Sequence, residues 1–319
     1  MTFKILYMTL LVSINNLKVV NMNITAKNIL METIIRIDGA YAPATIRAYK
    51  SNFERFIEFC DKEKIKALPA DQNTVSSYIR HLSSGKLKSA SIRIAVASIS
   101  AVHRLNEYPD PASLPNVRIE LRKMHRKLGR GSKQAMGINL ETLDKMLKYT
   151  DRSLIGLRDR ALVLTAYDGL CRRSEVVDFR VEDISRGRDN LIKIKLRRSK
   201  TDQDGIGRWI NLKIETQLAI IDWLNISGIK TGKLFRGIDK GNHLSDGLDA
   251  SQINRIYKKL ASRCEMKYEI IKKISGHSLR VGAAQDLLLS GASLPLIMTK
   301  GRWSKADTMM RYIENAEII

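Results

Sequence analysis

The sequence predicts a mainly α-helical protein that folds into two domains, the second of which carries one small antiparallel β-sheet. Length is the first reason, since 319 residues with 44% hydrophobic side chains can bury the cores of two domains. Spacing is the second, because apolar residues recur every three or four positions through most of the chain, as on one face of a helix. The third is a stretch, residues 192–197, in which apolar and basic residues alternate as in a strand.

The N-terminal extension, residues 1–38, is expected to be disordered or loosely docked. Residues 5–14 form an apolar run after Lys4 that weakly resembles part of a secretion signal but is too short to span a bilayer. A start codon placed too early, with Met22 or Met31 as the real start, also explains the run. We favour these explanations over secretion because the rest of the chain is basic.

A helical domain is expected over residues 39–128, about the size of a single domain. Its apolar residues follow a helical period in four segments that are separated by polar or glycine-containing stretches. The predicted helices cover residues 45–60, 73–82, 89–105 and 117–128.

A basic linker, residues 129–139, is expected to join this domain to the next. The run that leads into it is rich in Lys and Arg and is interrupted by Gly129 and Gly131. This composition fits a tether that crosses a phosphate backbone, and it fits a solvated helix end with a flexible connector equally well. The candidate phosphate contacts in the run are Arg122, Lys123, Arg126, Lys127, Arg130 and Lys133.

The second domain is expected to cover residues 140–319 and to be mainly helical. After its first helices, the alternating strand should turn at residues 202–205 into a partner strand at 208–212. The predicted helices cover residues 140–149, 154–167, 215–226, 250–262, 279–289, 295–300 and 306–313, with one more directly after Asp168-Gly169.

Charge and cysteine content indicate the kind of partner and compartment. With 55 Lys+Arg against 33 Asp+Glu the formal net charge is +22, which favours a polyanionic partner. Nucleic acid fits better than a membrane surface, because the basic residues are spread through globular segments. Cys60, Cys171 and Cys264 lie far apart without metal-ligand spacing, as in a reduced cytoplasmic protein. The sequence carries no metal motif or phosphate-binding glycine loop, so we expect neither a metal nor another cofactor.

A set of polar and aromatic residues in the second domain points to chemistry on a phosphate. Taken alone, each has an ordinary explanation as a surface ion pair, a solvated lysine or a packed ring. Together they supply cations and hydrogen-bond donors that can surround a phosphate, and a tyrosine that can attack it. The order therefore indicates DNA cleavage and rejoining through a protein–tyrosine link. The residues are Arg172, Glu175, Lys200, His277, Arg280, Trp303 and Tyr312.

This order resembles that of the tyrosine recombinases, or phage integrases. The similarity extends to the segments Ser275–Ala284, Val181–Ser185, Leu234–Arg236 and Trp303–Ile313. It covers about Pro43 to Ile313, strongly after Lys133 and more loosely before it. The resemblance implies a core-binding domain followed by a catalytic domain, which together clamp duplex DNA.

The resemblance also implies a role for each residue. Arg172 and Arg280 would hold the nonbridging phosphate oxygens, on which charge develops during phosphoryl transfer. Trp303 would bind a phosphate oxygen and pack against the site, and Glu175 would position the site without transferring a proton.

The same resemblance assigns the covalent steps. Tyr312 would attack the phosphorus and form a 3′-phosphotyrosine bond, while His277 shares the phenolic proton. Lys200 would protonate the departing 5′-oxygen. A 5′-hydroxyl from a partner strand could then reseal the bond without ATP or metal.

The expected partner is double-stranded DNA with a specific recombination site, bound by a tetramer made of two dimers. The helix from Ser89 would lie in the major groove, and the helix from Ala250 would present a second reading surface. The candidate contacts are Lys86, Lys88, Ser91 and Arg93 for the first helix. For the second they are Ser251, Gln252 and Asn254, which are expected to be exposed at its start. We expect a bacterial protein, encoded by a plasmid or phage, in the cytoplasm and associated with the nucleoid.

Two other functions stay open at this stage, a DNA-relaxing enzyme of type IB topoisomerase character and a catalytically silent DNA-binding regulator. The seven residues after Tyr312 bear on assembly, since recombinases of this type usually have a longer tail that docks into a neighbouring subunit. Docking by Ile318-Ile319, a different regulation or a truncated chain would each account for this difference.

Overall fold

The computed structural model describes residues 23–131, 134–187, 191–197 and 207–314. The chain divides into two compact units, Met1–Ser132 and Lys133–Ile319. Both units are built mainly from helices, and the described part of the second contains one small antiparallel sheet. The predicted fold class is therefore confirmed.

The first unit is helical throughout its regular structure. Its helices are α1 (residues 23–36), α2 (Pro43–Glu63), α3 (Gln72–Ser84), α4 (Ser89–Leu105) and α5 (Pro115–Leu128). Proline stands in the first turn of α2 and of α5, where its missing N–H leaves no intrahelical bond unmade. Asp71 caps α3 by accepting a hydrogen bond from the N–H of Thr74.

Helix α1 corrects the expectation that the whole extension is disordered or loosely docked. Ala26 and Leu30 are each 1% exposed and belong to the core of the unit. The amide of buried Asn23 donates to the Asp61 carboxylate at 2.7 Å, and its oxygen accepts from the N–H of Ala67 at 3.0 Å. These bonds and the apolar pair tie α1 to its unit. Residues 1–22 lie outside the described residues.

Aromatic and branched side chains of α2, α3 and α4 form the core of the first unit. One polar ring lies among them, because His103 is fully buried. Its Nδ1 lies 2.8 Å from the Ile99 carbonyl oxygen, and its Nε2 accepts from the N–H of Ala70 at 2.8 Å. An accepting Nε2 requires the neutral ring, with the proton on Nδ1. Burial accordingly lowers the pKa of His103.

The second unit begins with helices and closes with helices around its small sheet. The helices are α6 (Leu140–Leu147), α7 (Leu154–Asp168), α8 (Arg173–Val176), α9 (Ile214–Ser227), α10 (Ala250–Arg263), α11 (Tyr268–Lys273), α12 (Ser278–Leu289), α13 (Leu294–Gly301) and α14 (Ala306–Ile313). Helix α7 is buried along most of its length and packs against α9 and α12. Its buried position fixes where the turn that follows it, residues 169–172, lies in the unit.

The sheet has the antiparallel order β1 (Ile184–Arg186), β2 (Ile192–Leu196) and β3 (Arg208–Asn211). In the central strand Ile194 lies opposite Ile184 on one side and Ile210 on the other. The alternation that predicts β2 puts its isoleucines and leucine in the core.

The predicted turn at 202–205 lies outside the described residues. Among the helices that are described, none is long and apolar enough to cross a membrane.

We expect acid to destabilise the first unit through His103. Its pKa is below the ordinary value in the folded state, so the unfolded chain binds a proton near pH 6.5 that the folded chain does not. Stability should therefore be constant above about pH 6.5 and fall as the pH drops below it, by at most about 1.4 kcal/mol per pH unit. Hydrogen exchange of peptides from α4 at pH 7.5 and 5.5 measures this loss. His103→Gln should reduce the pH dependence, and an unchanged dependence would contradict the assignment.

Candidate active site

The turn after α7 presents the first pair of site residues. Arg172 stands directly before α8, and Glu175 lies in that helix. The Glu175 carboxylate accepts from the Arg172 guanidinium at 2.6 Å and from the Arg172 backbone N–H at 2.8 Å. Because Glu175 is only 4% exposed, this ion pair is shielded from solvent on the carboxylate side. Glu175 therefore holds both the side chain and the backbone of Arg172 in a fixed orientation.

A second arginine, which sequence analysis did not single out, reaches the same carboxylate. Nη2 of Arg302 donates to Glu175 at 2.8 Å, and the residue is 7% exposed. Its backbone adopts φ 58° in the left-handed region, which costs a non-glycine residue about 1–2 kcal/mol. The only signal in the sequence is its place beside Trp303, and no periodicity marks it.

The ionisation of Glu175 follows from these neighbours. Burial by itself would raise the pKa of its carboxyl group. The positive charge of Arg302, the N–H of Arg172 and the charge of Arg172 outweigh burial and leave the pKa of Glu175 below its ordinary value. Glu175 is therefore an ionised carboxylate at neutral pH and can orient both guanidinium groups.

Arg280 projects from the first turn of α12 into the same cluster and is 1% exposed. Its two Nη atoms donate to the carbonyl oxygens of Leu170 and Gly301. The guanidinium carbon lies 4.2 Å from the centre of the Trp303 ring. Burial, followed by the charge of Arg172, lowers the pKa of Arg280 to about 10, so the group stays charged at neutral pH.

Trp303 and Tyr312 cover Arg280 on its open side. The two ring centres are 5.0 Å apart, and the Arg280 guanidinium carbon lies 5.6 Å from the centre of the Tyr312 ring. Tyr312 is held there by α14, whose Met309 and Ile313 are buried in the core. Trp303 approaches so closely because residue 301 is glycine, where a Cβ atom would come within 1.8 Å of the indole.

His277 precedes α12 and is exposed beside this cluster. Partial burial, followed by the positive charges of Arg280, Arg173 and Arg172, lowers the pKa of His277. A neutral imidazole at pH 7 can accept a proton. Gly276 leaves room for neighbours there, since a Cβ atom would lie 2.9 Å from the side chains of both Arg173 and Asn254.

Cys171 lies beside Arg172 and is buried as predicted for a small apolar side chain. Burial raises the pKa of its thiol to about 12.

The structure brings together six of the seven residues that the sequence singles out. The seventh, Lys200, lies outside the described residues, as does Lys133.

The candidate DNA contacts that the structure describes in the first unit are exposed around the start of α4 and along the end of α5, and we call them together the basic surface. The side chains that the structure shows exposed are Lys86, Lys88, Ser91, Arg93, Arg122, Lys123, Arg126, Lys127 and Arg130. On α5 the four basic side chains Arg122, Lys123, Arg126 and Lys127 face outward, because Val117 and Met124 of the same helix pack into the core. His125, which sequence analysis did not select, has its pKa lowered by partial burial, then by Arg130 and Arg93. Helices α4 and α5 pack against each other.

On α10 the expectation that all three candidate contacts are exposed was wrong. Ser251 is exposed, but Gln252 and Asn254 are half-buried, and the Asn254 side-chain oxygen is enclosed beside Gly276. Asn254 follows buried Ile253 on a helix that packs against α8, so it faces the His277 loop instead of solvent. Arg173, which the sequence patterns did not indicate, is exposed and lies beside the same loop.

Comparison with protein families decides the identity of the fold and the cluster. Residues 138–317 match the phage integrase family, and residues 32–107 match the phage integrase N-terminal SAM-like domain. The chain belongs to the phage integrase family. It is a tyrosine recombinase, and the resemblance seen in the sequence is confirmed.

Individual relatives of this recombinase agree. It is 28% identical over 294 residues to the integrase/recombinase XerD homolog of Selenomonas ruminantium, covering 89% of this chain and 85% of that relative. It is 26% identical over 298 residues to the Cre recombinase of Escherichia phage P1, covering 87% and 86% of the two chains. The topoisomerase-like and regulator alternatives gain no support from these matches.

Solved structures share the fold of this recombinase at low sequence identity. XerH site-specific recombinase bound to its palindromic difH substrate has a TM-score of 0.63 and 18% identity, over 85% of this chain and 76% of XerH. The Tn1549 transposon integrase in complex with transposon right end DNA has a TM-score of 0.62 and 13% identity, over 90% of this chain and 94% of the integrase.

Proposed function

We propose that this recombinase cleaves and rejoins duplex DNA at a specific site through a 3′-phosphotyrosine bond on Tyr312, without ATP or metal. One observation carries the proposal: the Tyr312 ring lies over the buried guanidinium of Arg280. A fixed cation next to the nucleophile favours phosphoryl transfer, because charge develops on the nonbridging oxygens.

Arg172 and Arg280 are the proposed phosphate ligands. Arg280 is covered by Trp303 and Tyr312, so the phosphate reaches it when the Tyr312 side chain moves off the guanidinium. Glu175 stays ionised and holds Arg172 without exchanging a proton. Removal of one such donor typically slows a reaction by about a hundredfold or more.

Proton transfer is proposed for His277 and Lys200. Neutral His277 accepts the phenolic proton as Tyr312 attacks the phosphorus. The P–O bond to the 5′-oxygen breaks as the bond to the tyrosine oxygen forms, and Lys200 donates a proton to the departing oxygen. The reverse attack by a 5′-hydroxyl reseals the strand, so the bond energy is kept in the phosphodiester linkage.

For recognition, the basic surface of α4 and α5 is proposed to bind the DNA backbone and the major groove, with Ser251 and Arg173 as contacts of the second unit. The net charge of +22 supports a polyanionic partner. XerH and the Tn1549 integrase, which share the fold, are seen bound to DNA. We propose that residues 39–128 form the core-binding domain together with α1, that 129–139 form the linker, and that 140–319 form the catalytic domain. We also propose that the protein assembles on the site as a tetramer, in association with the nucleoid.

A nicked duplex that carries the DNA site selected by the protein from a random pool tests the nucleophile. Loss of a short fragment after cleavage prevents resealing, so wild type should accumulate an adduct that survives SDS. Tyr312→Phe keeps the ring that packs on Trp303 but lacks the hydroxyl, and it should form none. Tyr268→Phe, at an exposed tyrosine, is the control and should behave as wild type. An adduct formed by Tyr312→Phe would remove Tyr312 as nucleophile.

The pH dependence of adduct formation tests His277. Its neutral form is the proposed proton acceptor, and its pKa is below the ordinary value. The rate should therefore hold from pH 8 to about pH 6.5 and fall only at lower pH. His277→Gln should form the adduct more slowly at all pH values, and its rate should no longer fall below about pH 6.5. A His277→Gln variant with the wild-type pH profile would assign the limb to another group.

Salt dependence tests the basic surface. Lys and Arg side chains that replace counterions on phosphates make log K fall linearly with log salt concentration. Arg126→Gln, on the outer face of α5, should weaken binding and reduce the slope by about one. Lys62→Gln removes an exposed charge at the end of α2 and should leave the slope unchanged. A salt-independent affinity, or equal effects of the two variants, would contradict this surface.

A further inference from the structure

Arg302 occupies a position that is unfavourable for an arginine in two respects. Its φ of 58° lies in the left-handed region, where glycine is the ordinary residue. Its charged side chain is buried, which arginine accepts only when its donors are bonded. Both features are explained if the contacts of the guanidinium serve a purpose in the site.

Those contacts hold the segment that presents Arg172 from both sides. Nη1 donates to the carbonyl oxygens of Gly169 at 2.9 Å and Lys300 at 3.0 Å. Nη2 donates to the carbonyl oxygen of Leu170 at 3.0 Å and to the Glu175 carboxylate at 2.8 Å. Gly169 and Leu170 precede Arg172, and Glu175 follows it. Of the three nitrogens of the Arg302 guanidinium, only Nε has no hydrogen-bond partner among the described residues, and it is buried.

The Glu175 carboxylate divides its oxygens between the two arginines. Oε1 accepts from the Arg172 guanidinium, and Oε2 accepts from Arg302 and from the Arg172 backbone N–H. Arg302 thus fixes the orientation of the carboxylate plane, and with it the direction in which Arg172 points. Its charge is also the largest influence that opposes burial at Glu175. Protonation of Glu175 would turn one of its acceptor positions into a donor, and Arg172 would lose its ionic partner.

We propose that Arg302 is a positioning residue, which sets the Arg172 guanidinium for the scissile phosphate by holding Glu175 and the Gly169–Leu170 turn. The proposal rests on the proposed function, in which Arg172 binds that phosphate. Arg302 acts through other residues and has no contact with the reacting atoms.

The kinetic test compares adduct formation at saturating DNA with DNA affinity, on the nicked duplex described above. Arg302→Gln should slow adduct formation by about tenfold to a hundredfold, because small misplacement of a catalytic group has effects of this size. Its Kd for DNA should stay within about twofold of wild type, since most phosphate contacts remain. Arg302→Lys keeps the charge and should recover part of the rate. The double variant Arg302→Gln/Glu175→Gln should be no slower than Glu175→Gln, because both changes break one unit.

Arg158→Gln separates positioning from a general loss of stability. Arg158 is also 7% exposed, bonds the buried carboxylate of Asp159 and donates to the carbonyl oxygen of Arg236. It therefore matches Arg302 in burial and bonding but has no bond to Glu175 or to the turn. Arg158→Gln should lower the thermal midpoint as Arg302→Gln does, with the adduct rate within about twofold of wild type. Equal slowing in both variants would overturn the positioning role.

A measurement without DNA keeps the two proposals distinguishable. The Arg172 guanidinium signal in ¹⁵N NMR, assigned by its loss in Arg172→Lys, should broaden in Arg302→Gln and stay sharp in Arg158→Gln. An unchanged signal in Arg302→Gln overturns the positioning role, whatever the kinetics show. Absence of any adduct with wild type overturns the proposed function instead, and the NMR result still decides whether Arg302 fixes Arg172.

Discussion

Burial of positive charge is the constraint on which the site depends. Burial lowers the pKa of Arg280, and the charges of Arg172 and Arg302 contribute to this lowering. Glu175 is the carboxylate that pairs with Arg172 and Arg302. Desolvation of an ionised group costs several kcal/mol unless partners replace the lost water. Here the partners are one carboxylate, an indole ring and several backbone carbonyl oxygens. Positive charge remains in excess after these contacts, so an anion such as a phosphate complements the pocket.

The fold provides those carbonyl oxygens where a helix ends. Helix α7 stops at Asp168, and the carbonyl oxygens of Gly169 and Leu170, which lie beyond its end, have no intrahelical donor. The turn at Gly169 and Leu170 therefore offers acceptors that arginines can use. Because α7 is buried between α9 and α12, this acceptor surface is held firmly in place. On the opposite side, His277 stands at the N-terminal end of α12, where free N–H groups favour an anion.

Most of the architecture could be predicted from sequence because it follows local periodicity. Helix α4 and strand β2 have long, regular apolar patterns, and both lie where those patterns predict. Helix α1 was missed because its buried face contains few large apolar residues and is completed by the polar contacts of Asn23. Strand β1 has only three residues, too few for an alternation to be recognised.

The site was predictable to the extent that its residues carry chemistry in a familiar order. Arg172, Glu175 and Tyr312 could be selected in this way, and the structure places them in one cluster. Arg302 could not, since its importance lies in backbone carbonyls and a dihedral angle that no side-chain pattern encodes. Asn254 failed for the same reason: whether a helix residue faces solvent depends on which loop packs beside it.

A single peptide group has a consequence for the order of events. The carbonyl oxygen of Leu170 accepts from Arg280 of α12 and from Arg302 at the end of α13 at the same time. Two cations from separate helices thereby lock one peptide plane, and the loop it belongs to cannot tilt toward either without breaking a bond to the other. The half of the pocket that is proposed to receive the phosphate is therefore held together by the fold itself, without DNA. Adjustment on encounter would then fall to Tyr312, whose side chain does not bond this shared oxygen.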